Sequence, residues 1–215
     1  MKKLLVVRHA HPLEREYEAW IVQGIERYFS TLGMEFAIWA VSPDEESSWP
    51  ADEKLFLGCK IVGLQFKQAK LGTGTLGINR LKWSLHNPAG QFALVQKTPE
   101  IFYCLPTFIN RDVRSRALDH CLIWRPETDV NYNVWYDNPA AHTPYKRIRD
   151  GMRWGLFIEA MLACSVGARV DTPDDARSFL THFYASVNQF NIRPKDERSP
   201  FDVALGLYLL VVKLS

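Results

Sequence analysis

The sequence has few cysteines, and none of them belongs to a short paired motif. Only four of the 215 residues are cysteine, and they lie far apart: Cys59, Cys104, Cys121 and Cys164. Because no Cys-x-x-Cys pair occurs, neither a zinc site nor a thioredoxin-like redox motif is predicted. We expect free, buried thiols, as in proteins of the reducing cytoplasm.

Long apolar segments are also absent. The longest candidate, residues 203–214, is shorter than the roughly 20 residues that a membrane-spanning helix needs. The apolar run at residues 1–7 is followed at once by Arg8 and His9, so it is too short for a signal peptide. We therefore expect a cytoplasmic protein with no membrane partner.

The net charge leaves nucleic-acid binding open, whereas missing motifs argue against several classes of enzyme and binding site. The formal net charge of +2 is too small to require nucleic acid as a partner and does not exclude one. No Gly-x-Ser-x-Gly motif is present, and the glycine-rich segment 72–77 lacks the Lys-Ser/Thr of a phosphate-binding loop. The histidines have no metal-ligand spacing, and segment 72–77 is predicted to be a flexible loop.

The composition and the apolar pattern predict one folded domain. The chain is 47% hydrophobic and 13% aromatic, which is enough for a sizeable core. Helical periodicity predicts a helix over residues 14–32 that ends at Gly33. Further helices are predicted at 91–96, 112–118, 154–166, 173–187 and 201–214, and strands at 36–41, 54–57, 60–67, 80–84, 101–105 and 120–124. The order indicates an α/β (α+β) fold with a mixed central β-sheet flanked by helices, in a single domain over residues 1–215 with a C-terminal helical part from about residue 151.

The predicted strand 60–67 ends in two polar side chains. Since side chains alternate along a strand, Gln65 and Lys67 point to one face, and Leu64 and Phe66 to the other. An amide and an ammonium at the end of an apolar strand are costly to bury without partners. We therefore expect a nearby carboxylate, with or without a metal; alternatively, the pair lies on an edge strand and faces water.

Two carboxylates are candidates for that partner. Asp52 lies thirteen positions before Gln65, and two strands joined by a tight turn at Gly58 would bring them to one end of the sheet. Glu18 on the first helix could add a second carboxylate, with Glu14 and Glu16 as alternatives. Carboxylate and amide oxygens suit a hard divalent cation, and a lysine beside them suits hydrolysis of a phosphodiester. Asp52 could equally be an ordinary loop residue.

This pattern resembles the PD-(D/E)xK, or restriction-endonuclease-like, nuclease superfamily. Its signature is Asp, a gap, then (Asp/Glu)-x-Lys at the end of a strand, and the Mrr-like branch has Gln in the acidic position. Glu45-Glu46 before Asp52, followed by Leu-Gln-Phe-Lys at 64–67, is similar to an uncharacterised bacterial branch. Two later segments are also similar to the pattern of that branch: Gln91 followed by residues 102–108, and Trp154-Gly155 followed by residues 164–167.

The resemblance implies a restriction-endonuclease-like core and metal-dependent cleavage of nucleic acid. Asp52 and Gln65 would bind Mg²⁺ or Mn²⁺ with help from Glu18, and Lys67 would position the attacking water. Backbone phosphates, of DNA rather than RNA, would meet three basic residues: Lys70, Arg80 and Lys82. It further implies protein partners in a bacterial defence complex.

Two other functions remain open at this point. The first is a catalytically inactive interaction module on the same fold. The second is a histidine phosphatase, because residues 5–10 (Leu-Val-Val-Arg-His-Ala) resemble the opening of that superfamily, in which His9 would accept the phosphoryl group. Against it, Ser42-Pro43 is followed by three acidic residues, which would repel phosphate.

Overall fold

The computed structural model describes residues 12–41, 58–73, 79–85, 90–126, 151–189 and 206–214. Its helices are α1 (Glu14–Leu32), α2 (Gln91–Lys97), a 3-10 helix (Arg111–Arg116), α3 (Trp154–Leu162) and α4 (Pro173–Gln189). Its strands are β1 (Phe36–Ala40), β2 (Cys59–Phe66), β3 (Lys70–Thr73), β4 (Asn79–Lys82), β5 (Ile101–Pro106), β6 (Cys121–Trp124), β7 (Met152–Arg153), β8 (Ala168–Val170) and β9 (Leu207–Lys213).

Seven of these strands form one mixed sheet within the described ranges. The order is β1-β9-β2-β5-β6-β7, and β8 pairs with the first part of β2. β2 runs parallel to β5 and antiparallel to β9, while β3 and β4 form a separate hairpin. The predicted α/β fold with a mixed central sheet flanked by helices is confirmed.

Helix α1 has the bounds that its apolar spacing predicts. It buries a stripe at intervals of four residues, formed by Tyr17, Ile21, Ile25 and Phe29. At its start the backbone N–H of Leu13 donates to Glu16 Oε2 at 2.8 Å. At its end Gly33 adopts φ 66°, which favours glycine, and the helix stops there as predicted.

Helices cover both faces of the sheet. Phe102 and Tyr103 are adjacent in β5, so their side chains lie on opposite faces. The ring of Phe102 packs edge-on against Phe157 of α3, with centroids 5.3 Å apart. The ring of Tyr103 lies 6.5 Å from that of Phe92 on α2. α3 and α2 therefore enclose the sheet between them, and β2 and β5 are buried along their whole length.

The C-terminal segment has a different secondary structure from the one predicted. A helix was predicted over 201–214, but residues 207–213 form β9, which lies between β1 and β2 in the sheet. Smaller differences are that residues 72–73 belong to strand β3 rather than to a loop, that Arg111–Arg116 is a 3-10 helix, and that the helix predicted over 154–166 ends at Leu162. The predicted strand at 54–57 lies outside the described residues. No described helix is long and apolar enough to cross a membrane.

Candidate functional site

The carboxyl end of β2 carries two buried polar side chains. Gln65 is 0% exposed and Lys67, the first residue beyond the strand, is 2% exposed. β2 is flanked by β9 on one side and by β5 on the other. The alternative interpretation of an edge strand that faces water is therefore wrong.

Helix α1 brings two carboxylates to the same place. Glu18 is only 5% exposed, and Glu14 lies one turn earlier on the helix. The backbone N–H of Gln68 donates to Glu14 Oε2 at 3.3 Å, and its side-chain amide donates to the carbonyl of Pro12 at 2.7 Å. These two bonds fix the beginning of α1 against the residues that follow β2.

Gly206, immediately before β9, marks the point where these side chains converge. A Cβ placed on Gly206 would lie 3.1 Å from Glu18 Oε1, 3.2 Å from Gln65 Nε2 and 3.5 Å from Glu14 Oε1. The missing side chain at Gly206 thus leaves a small space lined by two carboxylates and one amide. We call Glu14, Glu18, Gln65 and Lys67 the polar cluster.

Tyr208 contacts the polar cluster from β9. Its hydroxyl donates to Glu18 Oε2 at 3.5 Å, at the long limit of a hydrogen bond. Its ring packs edge-on against Phe66, with centroids 5.1 Å apart. Tyr208 therefore connects the carboxylate of α1 with the apolar side of β2.

The surroundings of Glu18 disfavour its charged form. Burial is the main cause, and the neighbouring Glu14 adds to it; together they raise the pKa of Glu18 from 4.5 to about 7. Arg15, the Tyr208 hydroxyl and Lys67 act in the opposite direction. Near neutral pH the Glu18 carboxyl is therefore poised between its two protonation states.

Burial also disfavours the charged form of Lys67. Burial lowers the pKa of Lys67 from 10.5 to about 8, although Glu14 and Glu18 favour the ammonium form. The exposed Lys70 lies close enough to lower that pKa further. At neutral pH the side chain remains mostly a buried cation beside two carboxyl groups. An acid and a base with displaced pKa values, here Glu18 and Lys67, are typical of functional sites.

The polar cluster fits a hard divalent cation in part. Two carboxylates are suitable ligands and lie beside the space at Gly206, but Gln65 faces that space with its amide nitrogen, Nε2, and would have to turn its oxygen inward to bind a metal. The raised pKa of Glu18 is partly due to the charge of Glu14, a repulsion that a cation would relieve. However, no group of three or more His, Cys, Asp or Glu side chains converges within the described ranges. A third carboxylate would have to come from elsewhere in the chain.

Several predicted site residues cannot be placed beside the cluster. Asp52 lies outside the described residues, as do Arg8 and His9 of the phosphatase-like segment. Strand β4 contains Arg80 and Lys82, but the structure describes only their backbone. Of the predicted residues, Glu18, Gln65 and Lys67 come together, and Lys70 lies at the beginning of β3 close to them.

Sequence reasoning missed Gly206 and Tyr208 and kept Glu14 only as an alternative. The signal for Glu14 was available, because residues four apart on a helix share a face, and Glu14 is four residues before Glu18. No comparable signal existed for Gly206 and Tyr208. Their position depends on β9 pairing with β2, where Tyr208 is opposite Leu64.

The space at Gly206 leads to a stability prediction with a matched control. Gly206 and Gly33 have similar backbones, φ 64° and 66°, but a Cβ at Gly33 meets no atom within 4 Å. We expect Gly33→Ala to cost about 1 kcal/mol of backbone strain. Gly206→Ala should cost roughly 1 kcal/mol more, since Glu18 and Gln65 must both move. Urea unfolding measures both losses, and equal losses would mean that the polar cluster does not close around Gly206.

Comparison with known proteins returned nothing similar: no protein-family model, no curated protein and no solved structure matches the chain. We therefore infer function from the geometry of the polar cluster and from the sequence pattern.

Proposed function

We propose that this protein is a metal-dependent nuclease that hydrolyses phosphodiester bonds of nucleic acid, with DNA as its substrate. It would act in the cytoplasm, in a defence complex with other proteins. The observation that supports the proposal is the convergence of Glu18, Gln65 and Lys67 at the carboxyl end of a central strand. These three residues are the described part of the catalytic set that the sequence predicts.

Each member of the cluster has a distinct role in this proposal. Glu18 and Gln65 would hold Mg²⁺ or Mn²⁺ together with Asp52, and Glu14 is a further carboxylate at the same space. When bound, such a metal would polarise the phosphodiester and lower the pKa of a water molecule. Lys67, still mostly protonated at neutral pH, would orient the attacking water and stabilise negative charge on the phosphate.

The surface beside the polar cluster carries positively charged side chains, which would attract a polyanion. Lys70 is exposed and lies within electrostatic range of Lys67, and Arg15 is exposed within range of Glu18. Both would attract phosphate groups toward the cluster, an interaction that salt weakens. Arg80 and Lys82, on the strand that pairs with the beginning of β3, extend the proposed phosphate contacts.

The decisive test is cleavage by the purified chain. We expect plasmid and single-stranded DNA to be cut in Mg²⁺ or Mn²⁺ and to remain intact in EDTA. The double-stranded and single-stranded RNA counterparts, tested alongside, should be cut more slowly. Absence of cleavage of every substrate in both metals would contradict the proposal.

The burial of the cluster favours a second candidate, a non-catalytic interaction module. Gln65 is fully buried and Lys67 nearly so, which is what a polar cluster that only holds α1 against β2 would show. Binding assays separate the two candidates. A chain that binds DNA without cutting it under any metal condition is the module.

A further inference from the structure

Two of the four cysteines lie side by side on neighbouring strands. Cys104 of β5 and Cys121 of β6 have their Sγ atoms 3.0 Å apart. The strands are antiparallel, with Cys104 opposite Ile123 and Pro106 opposite Cys121, so the two cysteines are diagonal neighbours. Since a disulfide holds its sulfur atoms about 2.05 Å apart, closing the bond requires a movement of about 1 Å.

The other two cysteines have no such arrangement. Cys59 begins β2 and is buried, whereas Cys164 follows α3 and is exposed. Cys104 and Cys121 are 0% and 1% exposed, so neither can reach a thiol of another molecule while the chain is folded. The fold therefore selects one intramolecular pair among the four thiols.

We propose that Cys104 and Cys121 form an intramolecular disulfide when the chain folds in the presence of a small-molecule disulfide such as oxidised glutathione. The thiolate of one cysteine attacks the small disulfide and releases one thiol, which leaves a mixed disulfide on the protein. The second cysteine attacks the protein sulfur of this bond and releases the other thiol. Two S–H bonds are lost, one S–S bond forms, and the small disulfide takes up both electrons and both protons.

Burial decides when the bond can form. The thiolate is the attacking species, and burial raises the pKa of Cys104 well above its ordinary value, with a contribution from the adjacent Cys121. Exchange within the folded protein is therefore slow, and the bond forms during folding, before the strands exclude the oxidant. Once closed, the same burial shields the disulfide from reductants.

The bond would join the two strands beside the polar cluster. Cys104 is opposite Phe66 in the parallel pairing of β5 with β2, and Phe66 lies between Gln65 and Lys67. The two cysteines are 17 positions apart, so the bond closes a loop that includes the 3-10 helix. Cross-linking a loop of this length is expected to raise the melting temperature by roughly 6–12 °C.

Refolding tests the pairing without any substitution. The unfolded, reduced chain is refolded with oxidised glutathione or with reduced glutathione only, then unfolded and alkylated, and its peptides are mapped. We expect the first sample to contain the Cys104–Cys121 linked peptides, with Cys59 and Cys164 alkylated. Four alkylated cysteines, a different pairing, or glutathione retained on Cys104 or Cys121 would overturn the proposal.

Single substitutions provide the matched controls. Cys104→Ala and Cys121→Ala should each abolish the linked peptides and the rise in melting temperature, whereas Cys164→Ala should retain both. A linked peptide that persists in either of the first two variants would contradict the assignment. Because the readout is a covalent bond rather than cleavage, the result does not depend on whether the protein is a nuclease.

Discussion

Replacing Lys67 with methionine is expected to reduce metal-dependent DNA cleavage by about 100-fold or more, the usual cost of removing a group that stabilises charge in a transition state. Methionine retains most of the length and the apolar part of lysine, so the buried stem keeps its packing. What is lost is the ammonium group, which lies near Glu14 and Glu18. Steady-state kinetics at saturating Mg²⁺ should show the loss in kcat rather than in KM.

The same substitution leaves two carboxyl groups without their buried cation. Because burial lowers the pKa of Lys67 to about 8, the fold already disfavours its charged form, so the neutral methionine is not expected to unfold the chain; a melting curve recorded with the kinetics checks that the variant is folded. Lys97→Met, an exposed lysine at the end of α2, is the matched control and should retain both cleavage and stability. A folded Lys67→Met protein with full activity would rule out the assigned role of Lys67.

The parts of the polar cluster that were predicted from the sequence follow from rules that relate residues close together in the chain. Strand alternation correctly put Gln65 and Lys67 together, and helical spacing brought Glu18 to the buried side of α1. Both inferences depend on residues that are close in sequence. Glu18 meets Gln65 and Lys67 because α1 packs against the end of β2. This packing joins residues far apart in sequence and could be seen only in the structure.

The C-terminal strand shows where sequence reasoning failed. The apolar run around β9 has no polar alternation because its inner residues are buried, so its periodicity cannot distinguish a strand from a buried helix. The adjacent valines Val211 and Val212 favour a strand, but that preference is weak. The pairing of β9 between β1 and β2 involves residues far apart in sequence, and it alone brings Gly206 and Tyr208 to the polar cluster.

In metal-free buffer the stability of the protein is expected to fall as the pH rises from 4.5 to 7. The pKa of Glu18 is about 7 in the folded chain, mainly because of burial, and 4.5 is its ordinary value. Between these values the unfolded chain releases this proton and the folded chain retains it, so raising the pH favours unfolding. Each tenfold change in proton affinity is worth about 1.4 kcal/mol, which corresponds to roughly 3 kcal/mol in total.

Glu18→Gln should remove this pH dependence, because glutamine resembles the protonated acid and does not titrate. Urea unfolding at pH 4 should give similar stabilities for the two proteins, and at pH 8 the variant should be more stable by up to about 3 kcal/mol. Glu159→Gln, at an exposed position of α3, is the matched control and should behave as the unmodified chain. Parallel stability curves for Glu18→Gln and the unmodified chain would show that Glu18 ionises as freely in the folded protein as in water. A stability gain at pH 8 combined with lost cleavage would show instead that the buried charge is retained for function at the expense of the fold.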